Sequence, residues 1–577
     1  MIAIEETQST LIQRIPVWAL AATGAILIWL SQPPFGLSVI AWVAFIPWLV
    51  IADRDTLCKR QWLHLYLAMT VYWCLTMQGI RHAHDVFYAI LPVLGSYLAI
   101  YYFLFVVLVR RTESYTWKVP FWLSVPVIGT GLECLRNYLL TGVSAAMIGH
   151  TQVDHPAIIQ IADTFGSYGV TFLVLLVNAA LYETFPKRGQ DSFMQLLKKS
   201  PDTFFPLGIA CALFAVNWAY GTYRIRQGES LAQSVSAQGT MALIGRDEEI
   251  VFEQNSEREL EIFDNYFRTS IEAAKDAAQI GQTLDAVVWP ESMYNGTLPW
   301  LLLDEPGDLE NLSPDDTELI SIIRENRKQF QLRSAKVQAS IRNVTGQTND
   351  PHLIVGCSVV HYQEPAHVYS GIVHIGDRGN VVDWYGKTHL VMMGEYIPLI
   401  DYFPFIKSLI PVGMGTQRGD GPRVMTVSKI DLSPNVCIET AVERVTPSHI
   451  ANLLGQGKAA DVIVNVTNDG WFDHSSIVKH HLRCSRFVAI TCRRPVLMSA
   501  NGGPTVWIDA SGVVVKDLPG QRAGWIIVPV KADSREAVYL TIGDWPARIL
   551  ALFCFIALAA PVARRTKTLF FKPFGRF

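Results

Sequence analysis

Charge is scarce in this sequence. Only 17% of its 577 residues are Asp, Glu, Lys or Arg, against about 25% in soluble globular proteins, which points the chain toward a membrane. The charge present nearly cancels, leaving a net −3, so no global basic field exists to hold nucleic acid. Cysteine is sparse as well. Nine in a chain of this length make no disulfide framework. Cys58, Cys74, Cys134, Cys211 and Cys554 fall in or beside apolar runs, and none of Cys357, Cys437, Cys484 and Cys492 belongs to a CxxC pair, which argues against a zinc site. His474, His480 and His481 cluster, but adjacent histidines face different sides of a helix and no cysteine or carboxylate completes the set, so no metal is expected. Internal repeats and low-complexity tracts are missing too.

Long apolar runs, in contrast, are plentiful and unevenly placed. They begin near Ile15–Leu30, Leu37–Ala52, Trp62–Met77, Phe87–Val109, Val119–Cys134, Tyr168–Tyr182 and Phe204–Tyr220, stop for more than three hundred residues, and resume once at Ala547–Ala563. A membrane helix needs about 20 mostly apolar residues, and several runs sit at the short end of that range, where an interfacial or core helix is the competing reading. Ile15–Leu30 resembles a signal peptide but lacks a clear cleavage site, so it reads as an uncleaved first helix. The basic residues sort the loops: Arg54, Lys59 and Arg60 follow the second run, Arg110, Arg111 and Lys118 the fourth, Lys187, Arg188, Lys198 and Lys199 the sixth, and Arg564, Arg565, Lys567, Lys572 and Arg576 the last. Cytoplasmic loops carry the Lys/Arg excess. Eight spans with both termini in the cytoplasm satisfy every loop, and put the stretch from about Arg224 to Asp544 in the periplasm of a two-membrane bacterium. The expected organisation is residues 1–222 as a seven-helix membrane domain, 223–543 as an outer catalytic domain, and 544–577 as a closing helix with a basic cytoplasmic tail.

The outer stretch has its own pattern. "DAVVWPES", "HLIVGCSVV", "SGIVHIGDRGNVVDWYGK", "RVMTVSKIDL" and "DVIVNVTNDGWF" are β-branched runs bounded by Gly, Asn, Asp and Pro, the signature of strands. "EQNSERELEIFDNYFRTSIEAAKDAAQ" and "DDTELISIIRENRKQFQLRSAKVQASIRN" read as amphipathic helices. Strands apolar throughout suit sheets covered on both faces, so the class is α/β, with sheets sandwiched by helices.

Three motifs at expected strand ends carry chemistry: "VVWPES" with Glu291, "WYGKTHLVMMGEYIP" with Lys387 and Glu395, and "NVCIET" with Cys437 and Glu439. A thiol becomes a nucleophile when a base takes its proton or a cation lowers its pKa. A desolvated carboxylate can be that base, and a lysine can stabilise both a thiolate and the oxyanion of a tetrahedral intermediate. Glu, Lys and Cys together fit acyl transfer through a thioester. The competing readings are structural: Glu291 as a helix-start cap, Lys387 as a solvated strand-end charge, Glu395 and Glu439 as partners that neutralise Lys387, and Cys437 as a small core residue.

At these residues the sequence resembles the nitrilase superfamily, whose Glu–Lys–Cys triad sits on an α-β-β-α sandwich. The ordered set "WPES", "K-x-H-L-V-x-x-G-E", "C-x-E" and "TNDGWF", the arrangement of seven spans, an outer domain and one closing span, and the membrane segments "GLECLRNYLLTG" and "GDWPAR" resemble the apolipoprotein N-acyltransferase family over nearly the whole chain. The resemblance implies Glu291 as general base, Lys387 as oxyanion stabiliser, Cys437 as nucleophile, Glu395 as a supporting glutamate and Glu439 as one just past the nucleophile. It implies ping-pong transfer of an acyl chain from a phospholipid, typically phosphatidylethanolamine, to the α-amine of a diacylglyceryl-cysteine on a lipoprotein, without metal or soluble cofactor. Ile438 stands where the family usually has Tyr, and Met392-Met393-Gly394-Glu395 where it usually has "PFGE". Two rival readings share the triad or its scaffold: a membrane-tethered amidase that gives the acyl group to water, and a non-catalytic nitrilase-fold module that binds lipoproteins.

Two further features stand out. Glu133 and Arg136 are three apart on one helix face, either an ion pair or, at membrane depth, functional residues. "YIPLIDYFPFIKSLIPVGMG", Tyr396–Gly415, is apolar but broken by Pro and Gly, either a packed loop or an arm that dips toward the bilayer.

Overall fold

In the computed structural model, residues 15–113, 119–184, 203–250, 255–302, 314–362, 366–396 and 415–570 are described. Most of Tyr396–Gly415 lies outside them. The chain divides into two units, Met1–Ile225 with Ile542–Phe577, and Arg226–Thr541.

The first unit is helical: Val17–Ser31, Ile46–Ala52, Lys59–Thr76, Phe87–Glu113, Phe121–Tyr138, Ser167–Thr184, the first part of Phe205–Ser234, and Trp545–Phe570. Among the described residues, Phe87–Thr112, Ser167–Thr184 and Phe205–Ser234 are long and apolar enough to cross a membrane, and Val17–Ser31, Ser38–Ala52 and Trp545–Ala559 are shorter apolar helices. The expected single helix over Leu37–Ala52 is broken into a 3₁₀ turn, Ser38–Trp42, and a short α-helix, Ile46–Ala52. Pro47 explains the break: it lacks an N–H and its ring clashes with a carbonyl one turn earlier, so the helix can only start near it.

Polar contacts sort the helix ends of this unit. Arg110 Nη1 donates to the carbonyls of Ile51 (3.2 Å) and Ala52 (2.9 Å), closing helix-end acceptors that have no partner within their own helix. Tyr182 donates to Asp53 Oδ2 at 2.6 Å. The chain ends of three helices therefore gather at one end, beside Arg54, Arg110 and Arg111. Tyr138 donates to Asp544 Oδ2 at 2.6 Å and accepts from Arg548 Nη2 at 2.8 Å, at the far end of its helix. Between the ends, Glu133 is buried and accepts from the Ile148 N–H (2.8 Å) and the Thr171 hydroxyl (2.7 Å). Arg136 lies 3.9 Å from it and over the Trp73 ring at 4.8 Å. Glu133 thus pins two other segments more closely than it pairs with its helix neighbour.

The second unit holds two sheets. Its strands are β1 Gly239–Gly245, β2 Ala286–Trp289, β3 Trp300–Leu302, β4 His352–His361, β5 His367–Ile375, β6 Val381–Gly386, β7 Met425–Val427, β8 Ile430–Val436, β9 Val462–Asn468, β10 Val496–Asn501, β11 Thr505–Ile508, β12 Val514–Leu518 and β13 Gly524–Val530. One sheet runs β13-β1-β2-β4-β5-β6, with β3 beside β4, and the other β12-β11-β10-β9-β8-β7. The β1–β2–β4 and β8–β9–β10 triplets are parallel.

Side-chain alternation builds four layers from these strands. Met241, Leu243, Ala286 and Val288 of one sheet pack with Leu432, Val462, Val464 and Leu497 of the other. The alternate residues, Ala242, Ile244, Val287 and Val355, pack outward on Ile262, Tyr266, Phe330 and Val337 of helices Ser256–Gln279 and Pro314–Thr345. Ile463, Val496 and Met498 pack outward on Ile450, Val488 and Ala489 of helices Val445–Gly455 and Ser476–Cys492. The result is the expected α-β-β-α sandwich. Local signals agree: Asn255 Oδ1 accepts the Arg258 N–H at 2.8 Å, capping Ser256–Gln279, and Glu257 and Glu259 occupy its first turn, where the helix dipole favours acids.

Candidate active site

Four strands of the second unit stop at one place. β2 ends before Pro290-Glu291, β6 before Lys387, β8 before Cys437, and β9 at Asn468. Rigid strand ends hold side chains to a fraction of an ångström better than free loops do. Glu291 crosses close over β4, because at Gly356 any Cβ would lie 2.4 Å from the Glu291 Cα.

Glu291, Lys387 and Glu395 form one charge network around the buried Lys387. Lys387 Nζ donates to Glu291 Oε1 at 3.3 Å and to Glu395 Oε1 at 2.8 Å. Glu291 Oε1 also accepts the Ser370 hydroxyl at 2.9 Å, and its Oε2 accepts the Asn468 N–H at 3.3 Å. Glu395 Oε2 accepts the Val391 N–H at 2.7 Å, and its backbone carbonyl takes the N–H groups of Gly415 (3.2 Å) and Thr416 (3.3 Å). Burial pulls the Lys387 pKa down, but the carboxylates of Glu291 and Glu395, with Cys437, outweigh it and hold the ammonium well above its usual value. The lysine is a fixed cation.

Cys437 sits at a sharp turn from β8 into the one-turn helix Ile438–Ala441. Its φ is 49° and ψ −110°, a conformation that costs a non-glycine residue about 1–3 kcal/mol. Two bonds hold the turn: the Cys437 N–H to the Val466 carbonyl at 2.9 Å, and the Val436 N–H to Glu439 Oε2 at 2.7 Å. Burial and the Glu291 carboxylate push the thiol pKa up, against Lys387, which lowers it. The thiol therefore rests protonated, and its proton leaves only as a base accepts it.

Glu439 does not touch Lys387. Its Oε1 accepts from the Tyr385 hydroxyl (2.7 Å), the Thr388 N–H (2.7 Å), the Thr388 hydroxyl (2.6 Å) and the His389 N–H (3.2 Å). With Val436 on the other oxygen, it ties the backbone after Lys387 to the turn at Cys437. The competing reading, in which both glutamates are partners of the lysine, fits the geometry of Glu395 and not that of Glu439. Glu439 is instead held by the hydroxyls of Tyr385 and Thr388 and by the N–H groups of Thr388, His389 and Val436.

The other polar residues sort as follows. Cys357, Cys484 and Cys492 are buried, and burial pushes Cys357 up to about 11 and Cys492 to about 12. Two of the three histidines part company: His474 meets Asp247 at 3.1 Å, while His481 bridges Asp469 (3.1 Å) and Thr440 (3.0 Å). Ser370, Tyr385, Thr388 and Thr467 also line these strand ends; Tyr385, Thr388 and Thr467 fall inside the quoted motifs, but nothing in a strand hydroxyl's identity singles it out. Asp469 lies inside the quoted "TNDGWF" motif.

Comparison with known proteins follows the same division of the chain. A family model described as apolipoprotein N-acyltransferase N-terminal domain matches residues 24–180, and one described as carbon-nitrogen hydrolase matches residues 259–539. An apolipoprotein N-acyltransferase of Rhodopirellula baltica is 37% identical over 567 residues, 94% of this chain and 97% of the relative. One of Geobacter metallireducens is 26% identical over 566 residues, 96% of each chain. A solved variant of a nitrilase-superfamily amidase from Nesterenkonia AN1 aligns at 15% identity with a TM-score of 0.32, over 54% of this chain and 96% of that one.

Proposed function

We propose, from the fact that this chain belongs to the apolipoprotein N-acyltransferase family, that it transfers a fatty acyl chain through a thioester on Cys437. Lipoprotein N-acylation by a membrane enzyme is the activity that membership supports. The observation that favours this route is the Glu291–Lys387–Glu395 network beside a Cys437 held in a strained turn.

Glu291 takes the Cys437 proton as the sulfur attacks the donor's ester carbonyl. Lys387 is already neutralised by two carboxylates, so it stays charged and in place, and stabilises the developing oxyanion. Collapse of the intermediate expels the lysophospholipid, which takes its proton from Glu291. The α-amine of the acceptor then attacks the thioester, Glu291 accepts its proton, and the thiol is restored. The same triad would serve hydrolysis, and the acceptor alone differs. The donor is a phospholipid, phosphatidylethanolamine first, and the acceptor a diacylated apolipoprotein.

The membrane arrangement belongs to the same proposal. Residues 1–222 and 544–577 form the membrane domain, with eight spans, and residues 223–543 the catalytic domain on the periplasmic side of the inner membrane. Arg54, Arg110 and Arg111 at one end of the helical unit support placing that end in the cytoplasm. Confining enzyme and both lipid substrates to one bilayer raises their effective concentration.

Intact-protein mass spectrometry tests this. Incubation with phosphatidylethanolamine should leave a hydroxylamine-labile acyl adduct on the native protein and none on Cys437→Ala. A diacylated lipopeptide should discharge the adduct to an amide. A folded native protein that takes no adduct under single-turnover trapping rules the phospholipid donor out.

A further inference from the structure

The Glu291 carboxylate is gripped from both sheets, and unequally. Oε1 faces the sheet that carries the lysine: it accepts the Ser370 hydroxyl of β5 at 2.9 Å and the Lys387 ammonium at 3.3 Å. Oε2 faces the sheet that carries the nucleophile: it accepts the N–H of Asn468, at the end of β9, at 3.3 Å. β9 pairs with β8, and two residues before Asn468 the Val466 carbonyl takes the Cys437 N–H at 2.9 Å. A carboxylate offers about two acceptor positions on each oxygen. Oε1 is therefore filled by two donors, and Oε2 keeps a lone pair on the side of Cys437.

Ser370 makes that division directional. The last torsion of a glutamate is broad and nearly two-fold, so covalent geometry does not choose which oxygen turns to the thiol. A lysine ammonium does not choose either, being a compact charge with three rotatable donors. A hydroxyl on a strand has a fixed root. The Ser370 carbonyl also takes the Lys387 N–H at 2.9 Å, so one residue of β5 holds the lysine through its backbone and the glutamate through its side chain. Among the described residues the Ser370 hydroxyl makes no hydrogen bond other than that to Oε1.

We propose that Ser370 is a positioning residue that reserves Oε1 of Glu291, so that Oε2 takes and returns every proton of the reaction. This rests on Cys437 being the nucleophile and Glu291 its base. As the sulfur attacks the ester carbonyl, the thiol proton passes to Oε2. Two donors point at Oε1, so the proton stays on Oε2 until the leaving lysophospholipid oxygen takes it. In the second half-reaction the acceptor amine gives its proton to Oε2 as its nitrogen attacks the thioester, and the departing sulfur takes that proton back. The Ser370 and Lys387 protons keep their owners throughout.

The test is a set of single-turnover rates on the full-length protein in detergent: thioester formation from phosphatidylethanolamine, and discharge of the thioester to a diacylated lipopeptide, both followed by intact-protein mass spectrometry. Every variant keeps the backbone carbonyl at position 370, so the lysine's bond to β5 survives. Loss of one hydrogen bond to a charged acceptor is worth about tenfold. Ser370→Ala and Ser370→Val should therefore slow both half-reactions about tenfold and by the same factor, with the half-saturating donor concentration and the melting temperature unchanged. Ser370→Thr, which matches Val in size and keeps the hydroxyl, should restore both rates. Unchanged rates in Ser370→Ala, slowing of one half-reaction only, or equal loss in Ser370→Thr and Ser370→Val would overturn the proposal. Alkylation of Cys437 by iodoacetamide separates this from the donor reading. There the S–H bond breaks, an S–C bond forms, iodide leaves and the proton goes to Oε2, so the same variants should follow the same order without any acyl donor. A native protein that takes no acyl group but alkylates with this dependence on position 370 fails the donor reading alone, and one that acylates at rates indifferent to position 370 fails this proposal alone.

Discussion

A lysine clamped by two carboxylates sets what the cysteine can do. Lys387 is the charged neighbour that favours the Cys437 thiolate, against burial, Glu291 and Asp469. Lys387→Met should therefore push the thiol further up. One pKa unit is a tenfold change in thiolate fraction, so alkylation of Cys437 at pH 8 should slow by about tenfold or more, as measured by peptide mass spectrometry. Burial and charge also act on histidines away from the thiol. His374 is lowered to about 4, by burial and then by His352, which it meets at 2.8 Å across β4 and β5, and His389 to about 4, by burial and then by Arg444, Arg418 and Lys387. In the unfolded chain both titrate near 6.5. Their folded values are depressed, so the stability they contribute is present above about pH 6.5 and is lost as pH falls toward 4. The melting temperature of the detergent-purified protein should drop across that window, and less steeply in His374→Gln.

Between neighbouring elements, Glu439 joins the turn after β8 to the strand end after β6. Removing it strips acceptors from the Val436, Thr388 and His389 N–H groups at once. Each buried unsatisfied donor costs about 1–3 kcal/mol, so Glu439→Ala should destabilise the protein by about 3 kcal/mol or more in denaturant titration, whereas Glu439→Gln should lose less. Strands such as β4, β5 and β9 were legible because β-branched runs end in Gly, Asn or Asp, and helix Ser256–Gln279 because its apolar spacing and Asn255 agree. Strands β10 to β13 and helix Ser476–Cys492 escaped. The helix mixes Arg483 and Arg486 with apolar residues, and strands such as Thr505–Ile508 and Val514–Leu518 are short and closely spaced, so tertiary packing is what makes them regular. Glu291, Lys387 and Cys437 could be named as a set from their motifs, yet the separate tasks of Glu395 and Glu439 could not. That difference depends on which backbone amides point at each carboxylate, and amide direction leaves no trace in residue identity.

For the whole molecule, orientation is the testable property. A cysteine placed at the exposed Arg60 should react with an impermeant maleimide only after the inner membrane is opened, and one at the exposed Lys516 should react in intact spheroplasts. The reverse pattern would invert the proposed topology. Hydropathy read most helices of the first unit correctly but not the break at Pro47, since apolar composition is blind to a missing N–H. One detail of the site reaches beyond it. The carbonyl of Glu395 receives the N–H groups of both Gly415 and Thr416, so the chain leaves and re-enters at the residue whose carboxylate balances Lys387. Losing either amide therefore loosens the residue that anchors the ammonium.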